Sequence, residues 1–134
     1  MRLRGTTVLL VDADLDNLEV LALCLEAEGA QVLQASSIAR ALLVSAGRRV
    51  DVVVADLDLP DGDGGGLLHQ LRARDKLGTL PAIAVSGYSQ AQWRSRGSSL
   101  GFHRYAFKPF SIGSLVDLIT SLTRGDADDE SAMI

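Results

Sequence analysis

The sequence has little cysteine and no long hydrophobic run. Cys24 is its one cysteine, which excludes an internal disulfide and a cysteine-rich metal site. The apolar runs, such as residues 8–11, have the length of a strand and are far shorter than the roughly 20 residues that cross a bilayer. Residues 1–5 lack the apolar segment of a secretory signal. We therefore expect a soluble, cytoplasmic protein with no membrane segment.

The chain also lacks an excess of basic residues. It has 13 Lys and Arg against 17 Asp and Glu. Four of the acids lie in residues 125–134, which contain no base, so the rest of the chain is formally neutral. Since no basic cluster or stripe is present, we expect no direct contact with nucleic acid. The composition predicts one domain over residues 1–124 and a disordered acidic tail over 125–134.

Apolar runs of strand length alternate with segments of helical periodicity. Strands are predicted over residues 7–11, 31–35, 50–55, 81–86 and 105–107. Four of the segments between and after them carry apolar residues spaced three and four apart, which is typical of one helix face. These residues are Leu18, Leu21, Ala22 and Leu25; Ala39, Leu42, Leu43 and Ala46; Leu67, Leu68 and Leu71; and Leu115, Leu118, Ile119 and Leu122.

The remaining segment, residues 89–100, predicts a helix of poor propensity because serine and glycine are frequent in its second half. Five strands alternating with five helices predict an α/β fold. The natural packing is a right-handed, doubly wound parallel sheet with helices on both faces. The strand over 50–55 is the richest in valine, and we expect it to be central.

Chemically useful side chains follow four of the predicted strands. Asp12, Asp56, Ser86 and Lys108 all stand at strand ends, and in such a sheet ligands bind beyond the carboxyl ends of the strands. Carboxylates gathered at one edge favour a hard cation such as Mg²⁺. An ammonium and a hydroxyl can hold phosphate oxygens. A carboxylate in such a set can act as a nucleophile towards a phosphoryl donor and form an aspartyl phosphate.

Four segments, in the correct order and spacing, resemble the receiver domains of bacterial two-component response regulators. They are residues 8–12, 56–64, 81–87 and 105–110, and the resemblance extends over roughly residues 6–123. It implies a flavodoxin-like fold with strand order 2-1-3-4-5, so that residues 1–124 form a receiver domain.

The resemblance also implies residue roles. Asp56 is implied to accept a phosphoryl group from a histidine kinase or hybrid kinase, with Ser86 and Lys108 sensing that group. Tyr105 is implied to be an aromatic switch that turns inward on activation together with Ser86, although the spacing of Tyr105 and Phe107 also fits two core residues. The Lys108–Pro109 peptide bond is implied to be cis.

The implied metal site departs from the family pattern at one position. The resemblance implies Mg²⁺ held by Asp12, Asp56 and the backbone carbonyl of Asp58. Family members usually have two adjacent acids after the first strand, the second binding the ion directly, whereas this chain has Ala13 there. Asp14 is an alternative ligand one residue further along. We therefore expect Mg²⁺ to bind weakly.

The resemblance implies signalling through the surface formed by the fourth helix, the fifth strand and the fifth helix. The domain would catalyse only its own phosphorylation and dephosphorylation, and it would act on an unknown downstream protein or by phosphorylation-dependent homodimerisation. No output domain follows the predicted fifth helix. We therefore expect the domain to signal through partner proteins, or to be part of a longer regulator or hybrid kinase.

Two alternatives stay open. Ala13 favours a phosphorylation-independent pseudo-receiver that serves as a protein-binding scaffold. A flavin or nucleotide binder of the same fold class is disfavoured, because residues 12–16 are acidic where such a protein needs a phosphate-binding loop.

Overall fold

A computed structural model describes residues 1–75, 80–87, 90–92 and 101–124 of the protein. The predicted tail over 125–134 and most of the predicted fourth helix lie outside the described residues. Within the described ranges, strands and helices alternate along the chain. They are β1 (Thr7–Val11), α1 (Leu15–Ala27), β2 (Gln31–Ala35), α2 (Ile38–Ser45), β3 (Val52–Asp56), β4 (Asp58–Leu59), β5 (Gly62–Asp63), α3 (Gly64–Asp75), β6 (Ala82–Ser86), α4 (Gln90–Gln92), β7 (Arg104–Phe107) and α5 (Ile112–Thr123).

The five long strands form one parallel sheet in the order β2-β1-β3-β6-β7. The short strands β4 and β5 pair with each other in a separate antiparallel hairpin between β3 and α3. With that hairpin set aside, the order is the predicted 2-1-3-4-5 of a flavodoxin-like α/β fold. The valine-rich β3 is the central strand, and its residues Val52–Ala55 are buried, as a parallel strand covered on both faces requires.

Successive strand residues point to opposite faces of the sheet and contribute to two separate cores. Leu9 and Val53 pack with α2 and α3 on one face. Leu10 and Val54 pack with α1 and α5 on the other. The apolar stripes predicted for α1, α3 and α5 are all buried, which confirms the predicted packing of those helices. No helix in the described ranges is both long enough and apolar enough to span a membrane.

The predicted buried stripe of α2 was wrong. The helix buries Ile38, Ala41 and Ser45, whereas Leu43 of the predicted stripe is 65% exposed. In place of an apolar side chain the helix buries Ser45, whose hydroxyl donates to the carbonyl of Ala41 at 2.6 Å. Because this bond satisfies its polar group inside the helix, serine can occupy a buried position that a hydrophobicity pattern does not reveal.

Candidate functional site

The four strand-end residues lie at one edge of the sheet. Asp12 directly follows β1, Asp56 ends β3, Ser86 ends β6 and Lys108 directly follows β7. The strands are parallel neighbours, so their carboxyl ends meet. The backbone N–H of Lys108 donates to the carbonyl of Ser86 at 2.9 Å, which extends the pairing of β6 and β7 to the site.

Lys108 bridges the two carboxylates. Its Nζ lies 2.9 Å from Oδ2 of Asp56 and 3.4 Å from Oδ2 of Asp12. The Asp12 side chain is only 4% exposed and that of Asp56 12%. Two acids with so little access to water need a nearby positive charge, because a charge removed from water without a partner is costly. The ammonium of Lys108 supplies it.

The protonation of Lys108 reflects this arrangement. Partial burial by itself lowers the pKa of the ammonium. The hydrogen bond that Lys108 donates to Asp56 and the negative charges of Asp56 and Asp12 act in the opposite direction and outweigh burial, so the pKa of Lys108 is raised above its ordinary value. Lys108 is therefore a permanent cation at neutral pH.

Both carboxylates are also oriented by the backbone that follows them. Oδ1 of Asp12 accepts a hydrogen bond from the N–H of Asp14 at 2.9 Å, and Oδ1 of Asp56 accepts one from the N–H of Asp58 at 3.0 Å. An aspartate that binds the N–H two residues ahead forms an Asx turn, which fixes its side-chain direction. In each case Oδ1 faces the loop and Oδ2 faces Lys108.

Asp14, the alternative metal ligand, has a different contact in this structure. Its Oδ1 accepts the N–H of Asn17 at 3.1 Å and caps the N-terminus of α1. The side chain is exposed, as is Ala13. Over the described ranges, no three His, Cys, Asp or Glu side chains group closely enough to hold a metal. A metal role for Asp14 stays a prediction.

The residues present nevertheless fit a hydrated divalent cation. Mg²⁺ is commonly held by one or two carboxylates and retains several waters. Asp12 and Asp56 supply two carboxylates that contact one ammonium, and Asp58 follows on the first residue of β4. The missing acid at Ala13 reduces the number of charged ligands, which predicts weak binding.

The two predicted switch residues are both buried. Ser86 is 2% exposed at the end of β6. Tyr105 is fully buried, and its ring centre lies 4.3 Å from that of Phe107. The Tyr105 ring is thus already inside in this structure, and its movement on activation stays a prediction. The Lys108–Pro109 peptide bond is cis, as the resemblance implied.

The turn after Asp56 depends on close backbone packing. Gly64 begins α3, and a Cβ placed on it would lie 2.6 Å from the carbonyl oxygen of Asp56, which is closer than real side chains approach. Only glycine can therefore bring the start of α3 so near to the end of β3. Within the glycine-rich run after residue 61, Gly64 is the residue that allows this close packing.

Two polar residues near the site were missed by the sequence reasoning. The Nδ2 of Asn17 donates to Oδ2 of Asp12 at 3.3 Å. The carboxylate of Asp61 accepts the N–H groups of Ile38 at 2.8 Å and Ala39 at 3.0 Å. The first contact had a weak sequence signal, since Asn17 lies in the first turn of the helix after Asp12. The second had none, because it joins residues 22 or more positions apart.

The comparisons with known proteins agree with this geometry. Residues 8–120 match the family model of the response regulator receiver domain. The chain is 34% identical over 110 residues to the KDP operon transcriptional regulatory protein KdpE of Escherichia coli (strain K12), covering 82% of this chain and 48% of that protein. It is 34% identical over 112 residues to an uncharacterized 14.6 kDa protein in the sodA1 3'region of Leptolyngbya boryana, covering 84% and 86% respectively.

A solved structure gives the same result. The receiver domain of the Francisella response regulator 1452 superposes with a TM-score of 0.79 at 28% identity, covering 90% of this chain and 98% of that one. The chain spans about half the length of the transcriptional regulators that it matches, 48% of KdpE and 50% of the mycobacterial TcrX. The family model, the relatives and the fold concur: the chain belongs to the response regulator receiver domains of two-component signal transduction.

Proposed function

We propose that Asp56 accepts a phosphoryl group from the phosphohistidine of a histidine kinase or hybrid kinase. One observation carries the proposal: the Asp56 carboxylate, 12% exposed, lies 2.9 Å from the ammonium of Lys108 at the carboxyl edge of the sheet. The exposed part of this carboxylate can reach a phosphoryl donor that approaches from solvent. It is also close to a permanent cation that can neutralise the charge a phosphoryl group brings.

The proposed step is a phosphoryl transfer to a carboxylate. An Oδ atom of Asp56 attacks the phosphorus, a P–O bond forms and the P–N bond to the donor imidazole breaks. The electron pair of that bond stays on the imidazole nitrogen, which takes up a proton. Lys108 already contacts Oδ2 of Asp56 and remains beside the group that forms. Bound Mg²⁺ would neutralise phosphoryl oxygens, with Asp12, Asp56 and the Asp58 carbonyl as its ligands.

The aspartyl phosphate is lost by hydrolysis, in which water attacks phosphorus and the Asp56 carboxylate returns. The chain would then act as a timed switch and not as a classical enzyme. Ser86 and Tyr105 lie on β6 and β7 next to the site, and they would pass the change to the surface of α4, β7 and α5. A downstream protein, or a second copy of the chain in a phosphorylation-dependent homodimer, would read that surface.

A phosphorylation-independent scaffold is the second candidate, and Ala13 is the observation in its favour. With an exposed alanine where the family has an acid, the site has fewer ligands for the cation that phosphoryl transfer uses. In that case partners would recognise one constant surface. The two candidates differ in whether Asp56 ever carries phosphate.

Intact-mass spectrometry after incubation with acetyl phosphate distinguishes them. We expect one phosphoryl adduct that requires Mg²⁺ and is absent in Asp56→Asn. The control is Asp117→Asn. Asp117 is a surface acid on α5, and its carboxylate pairs with Arg2 at 2.6 Å. No adduct on the wild-type chain at millimolar Mg²⁺, either from acetyl phosphate or from a phosphorylated kinase domain, would favour the scaffold.

A further inference from the structure

We infer that Asn17 takes the place of the acid missing at position 13 and supplies an oxygen ligand to a divalent cation beside Asp12. The inference rests on the proposed function, because it concerns the same site, but it makes a claim about cation binding that can be measured without phosphorylation.

The position of Asn17 is set by the helix that carries it. Asn17 is the third residue of α1, and its backbone N–H donates to the capping carboxylate of Asp14 at 3.1 Å. This cap fixes the first turn of the helix. As a result the side-chain amide of Asn17 points at the site, with Nδ2 at 3.3 Å from Oδ2 of Asp12. The terminal group of Asn17 is thus next to the most deeply buried carboxylate of the site.

The chemistry of the amide allows it to serve a cation. An amide carries an NH₂ donor and a carbonyl acceptor on one carbon, so a half-turn about the last bond exchanges them. Without a cation, the NH₂ group is expected to face Asp12, as observed. A divalent ion beside Asp12 reverses the local field and attracts the carbonyl oxygen instead. Amide carbonyl oxygens are accepted ligands of such hard cations.

There is room for this rearrangement. Asn17 and Lys108 both line a cavity of about 540 Å³ between α1 and the segment 109–112, whose other lining residues are mainly apolar. Asn17 itself is partly exposed. The amide of Asn17 therefore has free space beside it in which to turn.

The neighbouring polar residues fit the role less well. The carboxylate of Asp14 is used as the cap of α1 and is exposed. Asp16 is exposed in the first turn of the helix. Asn17 is the residue of this turn whose side chain contacts Asp12. The contrasting interpretation is that Asn17 only tethers Asp12 as a hydrogen-bond donor.

Binding of Mn²⁺, followed by the electron paramagnetic resonance signal of the free ion, tests the inference on the full chain. We expect Asn17→Ala to weaken Mn²⁺ binding by about 10-fold or more. Asn17→Asp should bind at least as tightly as the wild type, because a carboxylate is a stronger ligand than an amide. Ala13→Asp should rescue Asn17→Ala, and the control Asp16→Asn should bind like the wild type. Circular dichroism establishes that each variant is folded.

Three results would overturn the inference. The first is unchanged binding in Asn17→Ala, and the second is absence of saturable binding in the wild type. The third is weakened binding in both Asn17→Ala and Asn17→Asp, which would show that the NH₂ group acts as a donor to Asp12. The proposed function is judged separately, by the phosphoryl adduct on the wild-type chain. If the adduct forms but Asn17→Ala binds Mn²⁺ as the wild type does, only this inference is wrong. If Asn17→Ala binds Mn²⁺ more weakly but no wild-type adduct forms, only the proposed function is wrong.

Discussion

Asp61 caps a helix that begins 23 residues before it in the chain. Its Oδ1 accepts the backbone N–H of Ile38 at 2.8 Å, and Ile38 is the first residue of α2. The first N–H groups of a helix have no partner within the helix, and a negative charge there faces the positive end of the helix dipole. Since Asp61 lies in the turn between β4 and β5, the contact ties α2 to the loop that follows Asp56.

Removing this cap should destabilise α2. We expect Asp61→Ala to lower the urea midpoint of unfolding and to accelerate hydrogen exchange at the amides of Ile38 and Ala39, because both lose their acceptor. Asp16→Ala, which removes an exposed acid from the first turn of α1, is the matched control. Unchanged exchange at Ile38 and Ala39 in Asp61→Ala would contradict the prediction.

The same contact predicts a dependence on acid. The N–H groups of Ala39 and Ile38 hold the pKa of the Asp61 carboxyl below its ordinary value of 3.8. Because the folded-state pKa is lowered, the stabilisation is present above 3.8 and is lost as the pH falls through the lowered value. The difference in urea midpoint between the wild type and Asp61→Ala should therefore be constant near neutrality and shrink below pH 3.8. A difference in urea midpoint that stays the same below pH 3.8 would contradict this prediction.

Lys108 and Asp56 should be energetically coupled. A double-mutant cycle with Lys108→Met and Asp56→Asn, measured by urea unfolding, should give a coupling free energy on the order of 1 kcal/mol. The pKa of Lys108 is raised, so the coupling is fully present below its ordinary value of 10.5 and is lost as the pH rises through the raised value. Additive effects of the two substitutions at neutral pH would show that the 2.9 Å contact contributes nothing to stability.

Arg72 should stabilise the far end of the sheet. Its Nη1 donates to the carbonyl of Gly101 at 2.9 Å and its Nη2 to that of Leu80 at 2.7 Å, so one side chain of α3 joins the segments that precede β6 and β7. A lysine has a single ammonium group and cannot reproduce the two diverging donors of the guanidinium. Arg72→Lys should therefore lower the free energy of unfolding by about 2 kcal/mol. Arg40→Lys on the exposed face of α2 is the control. If both variants lose the same free energy of unfolding, the two hydrogen bonds of Arg72 have no specific stabilising role.

A pair of glycine substitutions should have opposite effects. Gly64→Ala places a Cβ 2.6 Å from the carbonyl oxygen of Asp56 and should lower the free energy of unfolding by about 1–3 kcal/mol. Because the displaced backbone carries Asp56, the yield of phosphoryl adduct should fall as well. Gly113→Ala in α5 meets nothing within 4 Å and should stabilise the chain by about 0.4–1 kcal/mol. Urea unfolding measures both, and a neutral Gly64→Ala would show that the turn can relax.

Much of the site was predictable because its residues stand at the ends of apolar runs. Once residues 7–11, 50–55 and 105–107 are taken as parallel strands, Asp12, Asp56 and Lys108 must meet at one edge. The pattern could not predict the side chains of α2, since the burial of Ser45 depends on a hydrogen bond within the helix. It also could not show that Tyr105 is already inside.

By itself, the sequence determined the alternation of the five sheet strands with helices, the stripes on α1, α3 and α5, and the four residues at the strand ends. These features follow from local periodicity and from the rules of parallel sheets. The sequence did not predict the short hairpin of β4 and β5. Only the tertiary structure decided that Lys108 shares its ammonium between two carboxylates, that Asn17 contacts Asp12 and that Asp61 caps α2. The contacts of Lys108 and Asp61 join residues up to 96 positions apart, and their distances depend on how whole elements pack, which no local pattern encodes.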